Sequence, residues 1–262
     1  MESDSIGWLD LPEPAVPGSP SLILIGDSTV RNGGGDGDGG QWGWGDSLGE
    51  FFDSAKVNVV NRAIGGLSSR TFLTQGHWER ALSLIKPGDF VIIQFGHNDS
   101  SPLNDNLRAR GTIRGIGEES EEIDNLLTKR HETVHSYGWY LRKYVREIKA
   151  AGAIPILCSP VPRKIWENNA IVRANESYGG WARAVAASEG VGFIDLNELV
   201  ARRYDSIGEV RTEPMFADKN THTTKAGANL SAEVLVGGIR ALPGAPIDAL
   251  LSKRGENLPP AS

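Results

Sequence analysis

The chain has a single cysteine, Cys158, among its 262 residues, so an internal disulfide is excluded and thiol usage does not indicate a compartment. It lacks any stretch near the roughly 20 consecutive apolar residues that a membrane helix requires, so no membrane partner is expected. A surplus of positive charge is missing too. Lys and Arg number 27 against 33 Asp and Glu, giving a net charge of -6 and a pI near 5.5, which argues against nucleic acid as the main partner. A local arginine cluster remains compatible with an anionic ligand. The histidines, His77, His97, His131, His135 and His222, form no ligand-spaced set, so no metal and no other cofactor is expected. The first residues, Met1-Glu2-Ser3-Asp4, have neither a basic start nor an apolar core and do not read as a signal peptide. A cytoplasmic protein and a secreted one already relieved of its leader both fit.

What is present is ordinary globular composition, 39% hydrophobic and 23% charged, in a chain long enough to bury a full core. Short apolar runs recur. Ser21 to Ile25, Val57 to Val60, Asp89 to Phe95, Ala153 to Cys158 and Val191 to Asp195 read as strands, with the β-branched run at Asp89 to Phe95 the strongest. Helical periodicity predicts helices over Trp44 to Asp53, Glu132 to Ala150, Trp166 to Glu189 and Lys225 to Leu242. Apolar strands alternating with helices imply an α/β fold, a three-layer α/β/α sandwich around a five-stranded parallel sheet, flavodoxin-like in type. No repeat or linker divides the chain, so a single domain over 1–262 is expected, with its core at about 21–242. Asn32 to Gly40 (NGGGDGDGG) reads as a flexible loop. Asn104 to Arg130 reads as an insertion near the strand ends, where parallel sheets place their ligands.

Four segments beside predicted strand ends or helix starts carry reactive groups. Gly26-Asp27-Ser28-Thr29 follows the first strand, where a serine can expose its hydroxyl beside free backbone amides; helix capping is the plainer alternative. Gly65-Gly66 lets backbone N–H groups approach a ligand, or simply makes a turn. Gly96-His97-Asn98-Asp99 follows the third strand, where Asn98 offers an amide donor or an Asx-turn. Asp218 and His222 precede the last helix, as an acid and base or as surface loop residues. Each signal is weak alone. Their occurrence together, in this order, supplies a nucleophile, oxyanion donors, a base and an acid.

The order G-D-S-T, G-G, G-H-N-D, D-x-x-x-H resembles the SGNH (GDSL-like) hydrolase superfamily, and within it the rhamnogalacturonan acetylesterase family most of all. The closer likeness rests on GDSTV (26–30), GWG (43–45), AIGGLSSRTF (63–72), QFGHND (94–99) and THTTKAGA (221–228). HSYGWYLRKY (135–144) and SPVPR (159–163) also fit, and the likeness runs from about Ser21 to Leu242. The resemblance implies Ser28 as nucleophile and His222 as general base. It implies an oxyanion hole of the Ser28 and Gly66 amides and the Asn98 side chain, and an acetylated oligo- or polysaccharide as partner. Asp218 is the nearest candidate acid. The family's usual place for it, three residues before the histidine, holds Lys219. A one-residue shift of the loop, or a Ser–His dyad with a backbone carbonyl on the ring, are the two alternatives. Leu67 stands where relatives often carry arginine.

Trp42 and Trp44 are read either as sugar-stacking or as core residues, and the resemblance suggests His97 and His135 as substrate-binding. Arg108, Arg110, Arg114, Lys129 and Arg130 suit a uronate-bearing polymer, although the interleaved Glu118, Glu119, Glu121 and Glu122 suit a solvated surface equally. The function expected is therefore a carbohydrate O-acetylesterase acting on a plant cell-wall polysaccharide such as rhamnogalacturonan. The alternatives are a lipase, thioesterase or aryl esterase with the same machinery, and a non-catalytic carbohydrate-binding protein.

Overall fold

A computed structural model describes residues 11–244 and 246–261; Met1 to Asp4, on which the reading of a leader rests, lie outside the described residues. The strands are β1 (Ser21–Gly26), β2 (Asn58–Asn61), β3 (Phe90–Gln94), β4 (Ser120–Asp124), β5 (His131–His135), β6 (Ile154–Cys158), β7 (Trp166–Glu167), β8 (Ala170–Ile171) and β9 (Gly192–Ile194). The helices are α1 (Gly45–Leu48), α2 (Ser69–Thr74), α3 (His77–Leu82), α4 (Tyr137–Ala150), α5 (Tyr178–Glu189), α6 (Leu196–Ile207), α7 (Glu209–Thr212), α8 (Lys225–Ala241) and α9 (Lys253–Glu256). Five strands form a parallel sheet in the order β2-β1-β3-β6-β9.

Alternating side chains explain why helices cover both faces. Leu22, Leu24, Phe90 and Ile92 point into one core with residues of α1, α6 and α8. Ile23, Ile25, Val91 and Ile93 point into the other, with Phe72 of α2, Trp78 of α3 and residues of α4 and α5. Strands buried on both sides leave no solvated face, which is why they read as continuous apolar runs rather than alternating ones. The result is the expected three-layer sandwich.

Two predicted helices begin later than expected. Glu132 to His135 belong to β5, paired antiparallel with β4, and the helix starts only at Tyr137. Ser136 sets that boundary, because its side-chain oxygen accepts a hydrogen bond from the Trp139 amide at 3.1 Å. Likewise, β7 and β8 form a small hairpin where helix was expected from Trp166, and α5 starts at Tyr178. Asn168 and Asn169 turn that hairpin with φ of 51° and 64°, a left-handed pair that asparagine tolerates. The segment expected as an insertion at Asn104 to Arg130 is a loop running into the β4–β5 hairpin.

The chain leaves β1 toward β2 on one side, then returns to place β3 on the other. That reversal opens a crevice beyond the carboxyl ends of β1 and β3, the position where open α/β sheets bind ligands. Ser28 follows β1 and Asn98 follows β3.

Candidate active site

The turn after β1 is built tightly. A side chain on Gly26 would place its Cβ 2.5 Å from the Gln94 carbonyl oxygen, so only glycine lets β1 end this close to β3. The Asp27 carboxylate accepts hydrogen bonds from the Thr29 amide (2.9 Å) and hydroxyl (2.7 Å), while the Asp27 carbonyl accepts from the Val30 (3.0 Å) and Arg31 (3.1 Å) amides. Gln94 braces the same turn. Its amide donates to Thr29 Oγ1 at 2.6 Å, and its oxygen accepts from the Trp44 indole at 2.9 Å. No regular helix follows Ser28, since α1 begins at Gly45, so helix capping does not explain this serine.

Ser28 Oγ lies 2.8 Å from His222 Nε2, across 194 residues of sequence. On the other side of the ring, Nδ1 lies 2.6 Å from Asp218 Oδ2. A carboxylate facing Nδ1 keeps the proton there, which leaves Nε2 to accept from the Ser28 hydroxyl. Asp218 Oδ1 accepts the amides of Asn220 (3.1 Å), Thr221 (2.7 Å) and His222 (3.0 Å), folding the loop back so that its second oxygen meets the ring. Lys219 is exposed. Partial burial acts to raise the Asp218 carboxyl, but the Thr221 and His222 amides and the His222 ring outweigh it and hold it down at about 2. The loop itself is pinned by Trp42, whose amide donates to the Thr223 carbonyl at 2.8 Å, and by Arg163, which donates to Thr221 Oγ1 and to the His97 carbonyl.

Gly66 adopts φ of 83°, a left-handed conformation that favours glycine, and a Cβ on Gly65 would lie 3.5 Å from Ser28 Cβ. Asn98 is 8% exposed, and one of its amide hydrogens is spent on the Leu67 carbonyl at 2.7 Å. That bond fixes the amide plane and leaves the second hydrogen without a partner among the described residues.

The other expected contacts separate. Trp44 is 1% exposed and bonded to Gln94, so it packs in the core and is not open to a sugar ring. His97 bridges loops: its Nε2 donates to the Val161 carbonyl at 2.9 Å and its Nδ1 lies 3.3 Å from Asp27. It also lines a small cavity of about 170 Å³ with Arg163, Arg173 and Tyr178. His135 stacks on Trp139 with ring centroids 3.8 Å apart, and burial lowers its pKa. Among the described residues no cluster of His, Cys, Asp and Glu is placed to hold a metal.

Several residues that shape the site were given no such role from the sequence. Gln94 is one. Asp99 is another: it is buried beside α2, receives the Ser69 amide at 3.1 Å and the Ser69 hydroxyl, and is pushed up to about 7, chiefly by burial and further by Asp27. Arg110 donates to the Gly66 carbonyl at 2.7 Å and to Ser101 Oγ at 3.0 Å. A second glycine–serine pattern, Gly45-Asp46-Ser47-Leu48-Gly49, spells G-x-S-x-G, yet Ser47 is 1% exposed within α1 and its hydroxyl has no partner among the described residues. Only local structure distinguishes it from Ser28.

Residues 24–230 match the GDSL-like lipase/acylhydrolase family, and the chain belongs to that family: it is an ester-hydrolysing enzyme of the SGNH superfamily. Among curated relatives, it is 32% identical over 226 residues to the probable rhamnogalacturonan acetylesterase YesY of Bacillus subtilis, covering 84% of this chain and 93% of the relative. It is 27% identical to a rhamnogalacturonan acetylesterase of Emericella nidulans, covering 82% and 83%. The structure of YxiM from Bacillus subtilis superposes with a TM-score of 0.68 at 29% identity over 85% of this chain, which spans 56% of that one. An acetylxylan esterase from Geobacillus stearothermophilus shares the fold, with a TM-score of 0.51 at 20% identity, covering 84% of this chain and 93% of that one.

Proposed function

We propose that the enzyme is a carbohydrate O-acetylesterase that removes acetyl groups from a plant cell-wall polysaccharide such as rhamnogalacturonan, by acyl transfer through Ser28, His222 and Asp218. The observation that carries the mechanism is the unbroken line from Ser28 Oγ through the His222 ring to Asp218, at 2.8 Å and 2.6 Å. The names of the relatives carry the choice of substrate.

In the first step His222 Nε2 takes the Ser28 proton as Oγ bonds to the acetyl carbonyl carbon. Negative charge gathers on the carbonyl oxygen, where the Ser28 and Gly66 amides and the free Asn98 hydrogen receive it. The bond to the sugar oxygen then breaks, and the imidazolium returns its proton to that oxygen, freeing the deacetylated sugar. Water attacks the acetyl–Ser28 ester with His222 again as base, and acetate leaves as Ser28 regains its proton. Asp218 keeps the ring in the required tautomer and stabilises the imidazolium without taking the proton itself.

The test is acetate release from acetylated pectins, xylans and simple sugars, with Ser28→Ala as control. Release from acetylated rhamnogalacturonan by the wild type alone is expected. Absence of release from every polymer, with nitrophenyl acetate still cleaved, would remove the polysaccharide reading. Faster cleavage of long-chain nitrophenyl esters than of the acetate would favour a lipase or thioesterase instead. Inertness to a fluorophosphonate probe would point to a binding protein.

A further inference from the structure

Of the five basic residues between Arg108 and Arg130 that suit an acidic polymer, two reach the site. Arg114 lies over the Trp181 ring at 5.9 Å, and Lys129 and Arg130 sit in the turn of the β4–β5 hairpin, where Asn125 accepts from the Lys129 amide and donates to the Arg130 carbonyl. Arg108 and Arg110 converge on Gly66. A Cβ placed on that glycine would stand 3.2 Å from Arg108 Nη1 and 3.9 Å from Arg110 Nη1.

The turn that presents them is purpose-built in its geometry. One oxygen of Asp105 accepts three successive backbone amides, from Leu107 (2.8 Å), Arg108 (2.6 Å) and Ala109 (3.0 Å). Those bonds hold the Asp105 carboxyl below its usual range, so the charge persists and the cap stays closed. Ala109 is buried at φ of 41°, a left-handed conformation unfavourable for a residue with a Cβ. Arg110 then anchors the turn to Gly66 and Ser101. Its neighbour differs. The Arg108 guanidinium is exposed and has no hydrogen-bond or ion-pair partner among the described residues.

Two guanidinium groups side by side repel, and the carboxylates nearest to them are engaged elsewhere: Asp27 with Thr29 and His97, Asp99 with Ser69, Asp105 with its own turn. The arrangement is relieved when an anion arrives. We propose that the Asp105–Arg110 turn is a carboxylate-reading subsite at the rim of the oxyanion pocket, with Arg108 pairing to a uronate carboxylate of the substrate and Arg110 as its anchor. This assignment rests on the carbohydrate esterase reading and makes Arg108 a specificity determinant for acidic over neutral chains.

The test uses digalacturonate and its methyl ester as competitive inhibitors of nitrophenyl acetate hydrolysis, each variant measured at whatever rate it sustains. In the wild type the acid should inhibit about fivefold more tightly than the ester, the upper range for an exposed ion pair, and added salt should shrink that ratio. Arg108→Gln should bring the ratio to about one, and Arg108→Lys should keep part of it, since lysine retains the charge without the fork. Equal inhibition by acid and ester in the wild type, no inhibition by either, or a ratio that survives Arg108→Gln would overturn the assignment. Failure of the polysaccharide reading looks different: nitrophenyl acetate is cleaved, but no acetylated polymer releases acetate.

Discussion

Asp218 shows how far a residue type can be read and where spacing misleads. Its place four residues before His222 left a dyad open, and the loop bonds three amides to one oxygen, which brings the other to the ring. Asn98→Ala should lower kcat by about 10²–10³ with KM little changed, the usual cost of one oxyanion donor, and steady-state kinetics on nitrophenyl acetate would check it. An Asn98→Ala enzyme with raised KM and intact kcat would instead mark a binding residue. Asp218 also bears on stability. Its folded value of about 2 lies below the roughly 3.9 of an unfolded aspartate, so its contribution is present above about pH 4 and is lost as pH falls toward 2. Urea titrations should show Asp218→Asn less stable than the wild type at neutral pH, with the gap closing between pH 4 and 2. A gap of constant size across that range would contradict the ionic account. The bracing roles of Arg110, Gln94 and Asp99 were not legible in the sequence, for a common reason. Each acts by holding another loop, and the partner it holds is distant in sequence.

At the scale of elements, the five strands of the sheet were legible because burial on both faces makes them continuous apolar runs. Boundaries were not. Helical periodicity ran through β5 and the β7–β8 hairpin because a few apolar residues fit either period, and the decisive signals, Ser136 as a cap and Asn168-Asn169 as a turn, are single residues. The helices α2 and α3, between β2 and β3, were not foreseen. The start of α2 is fixed by Ser68, whose side chain and that of Thr71 bond each other's backbone amides, and by Asp99 reaching the Ser69 amide. Burial raises Asp99 to about 7, above its unfolded value, so the fold favours its neutral form. Its contribution is full below about pH 4 and is lost as pH rises through about 7. Asp99→Asn should therefore flatten the pH dependence of stability between pH 4 and 7. Chemical denaturation at both ends of that interval measures it, and an unchanged slope would show that the carboxyl does not titrate there.

For the whole molecule, Cys158 offers an internal reporter. It lies at the end of β6, 1% exposed, and burial raises its thiol far above the ordinary value. A thiol reagent should react with it only when the sheet opens, so labelling should follow global unfolding in rate and denaturant dependence. Quick, complete labelling of native enzyme would refute that. The architecture as a whole was readable in advance, because a parallel sheet with right-handed crossovers leaves few ways to connect such strands and helices. What separates Ser28 from Ser47 was less legible, since both follow a Gly-Asp pair and both are buried, at 7% and 1%, and only Ser28 meets a histidine.

The hydroxyl that would attack and the imidazole that would activate it enter the molecule 194 positions apart. During synthesis the serine leaves the ribosome long before its partner exists, so a half-made chain carries an alcohol with no base beside it. On the proposed assignment, hydrolytic competence arrives late, with the C-terminal portion that follows β9, and a chain terminated before His222 should be inactive.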